Sequence, residues 1–436
     1  MISLAAPTRS ISILFILTLP FCAWRKPGFL GNFDTNLGLY ALPLLVPMIL
    51  WQGGARMFLL RGQGGDVLRI VAVFLLFCMG LTLWNGAQFS ALGLSAYGLE
   101  PLAKSLRTAV VPFVLLALVL IGMSLPFFMG RNAIQSAIIA AFLLTCCYSV
   151  IQFGGLVGKG SLHSVLWPIV EGARDNYGSP AIARFGRLTG PTMEPAELAK
   201  LVMLLFVPWF IYPTNGVPSL RLSCAGIGLV LATASLIGVL LTVVVCLYLW
   251  RKGRPSIRWR ITVIGLLGGA VMLALGDTIA PVVFERISTL SQDPSALIRA
   301  TYNKAALSII LDHPFVGVGW SNEVFFFPQR VSNLAHLWEV SEDLRTGNAL
   351  TAKSLILRLG MYGGVLGTGC MVILIAWVLR KGGSADQRRA RLCFGLLLVA
   401  GLMDGGILTS FYLWVGPSLT LGMLAYARYA EGNHSC

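Results

Sequence analysis

Acid is scarce in this chain of 436 residues: 18 Asp and Glu face 33 Lys and Arg, and charged residues make up only 12% of it. A soluble domain carries about 25%. With 56% hydrophobic residues and a mean hydropathy of +0.78, the composition excludes an ordinary soluble globular protein. Histidine is scarcer still, at four, and no cysteine pair stands at metal-ligand spacing from a histidine, so neither a metal site nor a cofactor is expected. Alternation is also missing: "VVPFVLLALVLIGMSLPFF" (110–128) is apolar throughout, which excludes a β-barrel strand. No six-plus-six repeat of the transporter kind is visible.

What is present is a series of apolar runs, near 10–24, 37–51, 67–84, 108–128, 133–153, 197–212, 222–250, 261–280, 354–379, 392–409 and 411–427. Backbone groups in a bilayer must bond within their own segment, so these runs are expected to be helices. The expected fold is an all-α integral membrane protein, one polytopic domain over 1–436. The first run, "SISILFILTLPFCAW", meets Arg25-Lys26 with no small-x-small cleavage site before it, and reads as a membrane helix. Cys22, Cys78, Cys146, Cys147, Cys224, Cys246, Cys370 and Cys393 lie in or beside apolar runs and read as small buried hydrophobes, with Cys436 in a polar tail.

Two basic loops set the orientation. "RKGRPSIRWR" (251–260) carries five Lys/Arg and no acid, and "RKGGSADQRRAR" (380–391) five against one Asp. Both are expected to be cytoplasmic. The polar segments 154–192 and 281–353 then belong outside, and parity demands three crossings between 192 and 251. The 222–250 run is therefore read as two short helices turning at "ATAS", which gives twelve spans with both termini inside. The long loops 25–36, 85–107, 154–192 and 281–353 fall outside, and only Asp66, Asp386 and Glu431 among the acids fall inside. Cations gathered in the outer loops suit an anionic ligand. No nucleic-acid partner is expected.

The large outer loop 281–353, between spans nine and ten, contains "SQDPSALIRATYNKAALSIILDHPFVGVGW". Asp293 and Pro294 suit a helix start, and His313-Pro314 a stop near Asp312. Leu297, Ile298, Ala305, Leu307, Ile309, Ile310 and Leu311 are expected to bury, while Arg299 and Asn303 share a face beside Tyr302 and Lys304. "GVGW" reads as a glycine turn that lets backbone approach something closely. His336, in "VSNLAHLWEV", is placed on a short interfacial helix with Leu334, Leu337 and Trp338. The other outer loop, 154–192, ends in "RFGRLTGPTMEPAELAK" (184–200), where Gly190-Pro191 reads as a turn and Thr192 or Glu194 as a cap on the sixth span. Lys200 lies one turn below Glu197 and is paired with it in this reading. Arg184 and Arg187 have no such local explanation, and an arginine fork suits pyrophosphate oxygens.

Three stretches resemble the bacterial O-antigen ligase and O-antigen or exopolysaccharide polymerase superfamily: "RLTGPTMEPAELAKL" (187–201), "IRATYNKAALSIILDHPFVGVGW" (298–320) and "GNALTAKSLILRLGMYGG" (347–364). The first is closest to the exopolysaccharide-polymerase variant. The resemblance implies about twelve transmembrane helices with large periplasmic loops, a GT-C-like layout, in the bacterial inner membrane. It implies metal-independent glycosyl transfer from a polyprenyl-pyrophosphate-linked oligosaccharide to an acceptor glycan, or to lipid A core in a ligase. Membrane lipids surround the chain, and a chain-length regulator protein is a further partner class. Two positions depart from the family: Gly347-Asn348 stands where His-Asn is usual, and "ASLIG" with Leu236 where Ser-Arg-Gly is usual. The base then falls to Glu194, with His336 second. Arg299 joins Arg184, Arg187, Arg286 and Lys304 on the pyrophosphate. Tyr302, His313 and Asn348 complete the expected substrate contacts. A flippase is the alternative from another class; Arg69, Lys200 and Asp404 are the notable ionisable residues inside spans, and Asp404 in "GLMDGG" is the best transporter-like feature.

Overall fold

The structure is a computed structural model that describes residues 5–22, 37–51, 63–93, 100–157, 165, 188–192, 194–214, 219–233, 235–252, 294–346, 350–380, 383–408 and 410–433. All regular structure among them is helical. In chain order, α1 is Ala5–Thr18, α2 Leu42–Trp51, α3 Gln63–Ala91, α4 Pro101–Thr108, α5 Val110–Met129 and α6 Arg131–Val157. Next come α7 (Pro195–Leu201), a π turn (Val202–Phe206) and α8 (Val207–Ile211), then α9 (Leu220–Ala232) and α10 (Leu236–Lys252). The second half holds α11 (Pro294–Asp312), α12 (Phe327–Val331), α13 (Trp338–Thr346), α14 (Leu355–Arg380), α15 (Ala385–Met403) and α16 (Val415–Asn433).

Four stretches, Gly64–Ala91, Pro101–Met129, Arg131–Gly154 and Leu355–Trp377, are long and apolar enough to cross a membrane. Shorter apolar helices include Pro7–Thr18, Leu42–Trp51, Leu220–Ala232 and Leu236–Arg251. The break at Thr233 between α9 and α10 falls inside "ATAS", so the 222–250 run is two helices. The run 261–280 lies outside the described residues. The loop 85–107 is less open than its polarity suggested: α3 continues to Ala91. α4 then starts from Glu100, whose carboxylate accepts the Leu102 and Ala103 N–H groups at 3.2 and 2.6 Å.

The centre of the bundle is α7, the π turn and α8, buried from Leu198 to Ile211. A helix apolar on every side belongs in a core. Pro208 explains the π turn: it has no N–H to bond the Leu204 carbonyl one turn back, and Val207 N–H reaches to Val202 instead. The freed Leu204 oxygen takes the Cys393 thiol at 3.2 Å. Elsewhere glycines bring backbones together. A Cβ on Gly422 of α16 would lie 2.4 Å from the Met123 carbonyl of α5. The cysteines divide: Cys22, Cys78 and Cys393 are buried, while Cys147, Cys224 and Cys370 are exposed. The expectation of uniform burial fails for these three, since an apolar helix in a bilayer can leave a small hydrophobe facing outward.

α11 starts at Pro294 and stops before Pro314, as its flanking residues dictate. Its inward face is Ile298, Tyr302, Ala305, Ala306, Ile309 and Ile310. Leu297, Leu307 and Leu311 are exposed at 40%, 48% and 69%, against expectation. A straight helix buries only one stripe, and these three fall off it. "GVGW" then docks where α14 kinks at Gly364. Val318 N–H donates to Met361 O at 2.7 Å, and Val365 N–H to Pro314 O at 2.8 Å. Gly317, Gly319 and Gly364 all have positive φ, and a Cβ on Gly319 would sit 2.7 Å from Thr82 Cα of α3. Gly319→Ala therefore meets both strain and backbone, and should cost at least about 1–3 kcal/mol. A lowered melting midpoint of the detergent-purified protein checks this, and an unchanged midpoint contradicts it.

Candidate functional site

The chain ends of α7, α11, α14 and α15 meet at one end of the bundle, and most of the unusual charge meets there. The mouth of α7 is fixed first. Gln152 of α6 is fully buried and holds the "TGP" turn: its Oε1 accepts the N–H groups of Thr189 and Gly190 at 3.0 and 2.7 Å, and its Nε2 donates to Thr189 Oγ1 at 2.9 Å. Gly190 takes φ 55°, as a glycine turn requires. Thr192 does not cap the helix. Its hydroxyl donates to the carbonyls of Thr189 and Glu194 at 2.8 and 2.9 Å, bracing the turn itself. Glu194 occupies the cap position in extended conformation, yet its side chain makes no capping hydrogen bond. Its carboxylate is exposed at the mouth of the helix.

Lys200, about one and a half turns below, is 3% exposed. It pairs with Asp404 at the end of α15, correcting the local pairing with Glu197. The partner is 204 positions away in sequence. Asp404 also accepts the Gly406 N–H at 2.7 Å. Asp404 thus ties α7 to α15, a structural role for two of the three ionisable residues that looked transporter-like; the third, Arg69, pairs with Asp66. Beside it, Arg358 of α14 is 8% exposed; it donates to Gly405 O at 2.7 Å and to Thr351 Oγ1 at 2.8 Å. Gly405 is packed so closely that a Cβ would meet Ala352 O at 2.2 Å.

α11 supplies the other wall. Asn303 Oδ1 accepts the Lys353 N–H at 3.0 Å. The Lys353 ammonium lies 4.8 Å from the centre of the Tyr302 ring. Tyr302 is fully buried and donates to Asp343 Oδ2 at 2.9 Å. Burial raises the Asp343 carboxyl above the usual range, against the Tyr302 hydrogen bond and the Lys353 charge. Burial likewise lowers Lys353, against Asp343 and Glu339. Arg299 is exposed, and its charge acts on both Asp404 and Lys353.

Lys353 holds its charge below its own lowered pKa and loses it above, so anion affinity due to Lys353 should fade at a lower pH than an ordinary lysine allows. Lys353→Arg should remove that alkaline decline. Binding of inorganic pyrophosphate measured from about pH 7 to about pH 10 checks it, and identical profiles for the two proteins would contradict it.

Of the residues expected at the site, Glu194, Arg299 and Tyr302 lie on the elements that converge here. Lys304 is exposed on the next position of α11 after Asn303. His313 terminates α11, with its ring edge-on to Phe326 at 5.4 Å. His336 is exposed on the turn between the 3-10 turn Ser332–Leu334 and α13, not on a helix. Arg184, Arg187, Arg286 and Asn348 lie outside the described residues. Sequence reasoning missed Arg358, Gln152 and Asp343. Arg358 had a readable signal, a lone arginine inside the apolar "LILRLG".

Residues 219–372 match the family model described as O-antigen ligase. The match runs from α9 into α14 and contains Arg299, Lys353 and Arg358, while Glu194, Lys200 and Asp404 fall outside it. It supports the O-antigen ligase and polymerase superfamily and a role in polysaccharide ligation or polymerisation. With the long apolar helices, it marks a multi-pass membrane protein. No curated protein matches the chain.

Proposed function

We propose that the chain, as a member of the O-antigen ligase and polymerase superfamily, is a polysaccharide polymerase. It would move a polyprenyl-pyrophosphate-linked glycan onto an acceptor sugar hydroxyl at the outer face of the inner membrane. The observation that supports this reading best is the gathering of Lys200, Arg299, Lys353 and Arg358 at one end of the bundle, beside the exposed carboxylate of Glu194. In the reaction the acceptor oxygen bonds the anomeric carbon while the bond to pyrophosphate breaks. The electron pair leaves with the pyrophosphate, and the acceptor proton goes to a base. Preorganised cations in a partly dry site stabilise the leaving charge. Arg299 takes that role, supported by Arg184, Arg187, Arg286 and Lys304. Lys200 and Arg358 are committed to Asp404, Gly405 and Thr351 and shape the floor. Glu194 is the first choice of base and His336 the second. Tyr302 contributes by holding Lys353 and Asp343, and Asn348 orients the substrate; His313, fourteen residues and about 21 Å along α11 from Arg299 at ~1.5 Å per residue, packs on Phe326 and stands apart from the cations.

The "TGPTMEP" variant and Gly347 in place of histidine favour polymerase over ligase. The ligase reading is kept because the matched family is described as one. The test uses the full chain in vesicles with polyprenyl-pyrophosphate oligosaccharide. A product ladder marks a polymerase, single transfer to lipid A core a ligase, and leaflet exchange alone a flippase. Arg299→Ala should lose about 10²- to 10³-fold in rate with insertion and yield unchanged. Full-length polymer from that variant would overturn the assignment.

A further inference from the structure

The 281–353 segment reads from its polarity as an outer loop, yet part of it lies beside the middle of two apolar helices. Pro314 O accepts the Val365 N–H at 2.8 Å, and a Cβ on Gly364 would sit 2.1 Å from Phe315 O. Val365 is ten residues inside the apolar stretch Leu355–Trp377, about 15 Å of helix at ~1.5 Å per residue. Gly319 abuts Thr82 of α3, nine residues from the Ala91 end of Gly64–Ala91, about 14 Å by the same rise. The hydrocarbon of a bilayer is about 30 Å thick. Taken as spans, both stretches put the "DHPFVGVGW" turn at hydrocarbon depth and not in the water above it.

The surface and the backbone of the turn both suit that depth. Leu307, Leu311 and Phe315 follow one another at intervals of four, and all three are exposed, as is Val316. Phe315 and Val316 adjoin Gly364, and the next two residues of α14, Val365 and Leu366, are exposed and apolar. The stripe therefore runs on into the outward side of a span. An aqueous loop would leave the polar groups of its turn to water, whereas here protein takes them. Gly317 N–H donates to His313 O at 3.1 Å and Val318 N–H to Met361 O at 2.7 Å. Gly317 O accepts from Asn85 Nδ2 at 3.4 Å, Val318 O accepts from Asn322 Nδ2 at 3.1 Å, and Trp320 N–H donates to Thr82 Oγ1. Irregular backbone at membrane depth is tolerated where protein satisfies it in this way. Asp312, beside the stripe, is matched by Arg330, which also donates to Ser308 Oγ at 3.2 Å.

We propose that the 307–316 segment is inserted in the bilayer, with Leu307, Leu311, Phe315 and Val316 against the acyl chains of the leaflet at the cation-site end. The occupant of the stripe is lipid and not a second protein, because the stripe continues the exposed side of α14. The inference does not depend on the glycan-transfer reading. Anchored in this way, α11 holds Arg299 near the bilayer surface, thirteen residues before Asp312 and about 20 Å of helix away.

Photolabelling of the full chain in phosphatidylcholine vesicles tests this, with a diazirine carried on the lipid acyl chain. Peptide mapping by mass spectrometry should find adducts at Leu311, Phe315 and Val316 as well as at Val365 and Leu366. It should find none at Glu342 or Arg345 of α13, which are exposed but lie outside the stripe. Thiol reactivity gives a second measurement, read on the peptide that carries the new cysteine. Phe315→Cys should react with a membrane-impermeant maleimide about tenfold or more slowly than Arg345→Cys, because a thiol in hydrocarbon forms little thiolate. Phe315 is 67% exposed, so its replacement leaves the packed core intact. The proposal fails if lipid adducts miss 311–316, or if Glu342 and Arg345 are labelled as heavily as Phe315. It also fails if the two cysteines react alike. Cross-linking of two copies through Phe315→Cys by a bifunctional maleimide would make the stripe a protein interface and overturn it.

Discussion

Glu194→Gln should lower the rate of glycan transfer by about 10²- to 10⁴-fold while leaving yield, insertion and melting midpoint as they are. The separation follows from its surroundings. Glu194 begins α7, but the helix does not depend on its carboxylate, because that carboxylate makes no capping bond. The turn before it is held by Gln152 and Thr192, which the substitution leaves untouched. Glutamine keeps the size and the hydrogen-bonding shape and removes only the ability to take a proton. A structural glutamate would give the reverse outcome, a lowered midpoint with the rate per folded molecule preserved. Donor binding, followed through retention of polyprenyl pyrophosphate, should persist, because the cations remain. If Glu194→Gln is as active as the wild type, the base lies elsewhere, and His336→Ala becomes the decisive variant. His336 is exposed on a turn, so its replacement should cost little stability and report on chemistry alone.

The second large effect concerns stability. Asp404→Asn should destabilise the protein by about 3–5 kcal/mol, because it leaves Lys200 charged and buried without its partner. Lys200→Met at the same time should recover much of that loss, since the double variant removes both charges and nearly keeps the volume. Thermal unfolding in detergent of the wild type, both single variants and the double variant gives the coupling directly. Additive losses would mean that the two side chains do not depend on each other, contrary to the pairing. The amide oxygen introduced by Asp404→Asn can still accept the Gly406 N–H, so the loss measured is that of the charge and not of the turn.

How far the sequence goes can be followed residue by residue. α11 begins at Pro294 and ends before Pro314 because proline suits a first turn and forbids the helix from reaching its predecessor. α9 and α10 separate inside "ATAS" because the apolar run 222–250 exceeds one span and falls short of two ordinary ones. The glycines of "GVGW" announce a close backbone approach, and the structure finds Met361 and Thr82 there. These are local rules of chain stiffness and hydrogen bonding, and they need no knowledge of neighbours.

Partnership is another matter. A lysine three residues after a glutamate looks paired within its own helix, yet Lys200 reaches Asp404 because α15 ends against α7. Leu307 and Leu311 are as apolar as Ile309 and Ile310, and only the placement of α14 decides which stripe of α11 is covered. Arg358 looks out of place in an apolar run until the Gly405 carbonyl arrives from the end of α15. By itself, the sequence determined most of the long apolar helices among the described residues, many of their limits and the residue types that bear charge. The tertiary structure alone decided which charges face one another, because ion pairs and buried faces depend on how helices far apart in the chain are packed.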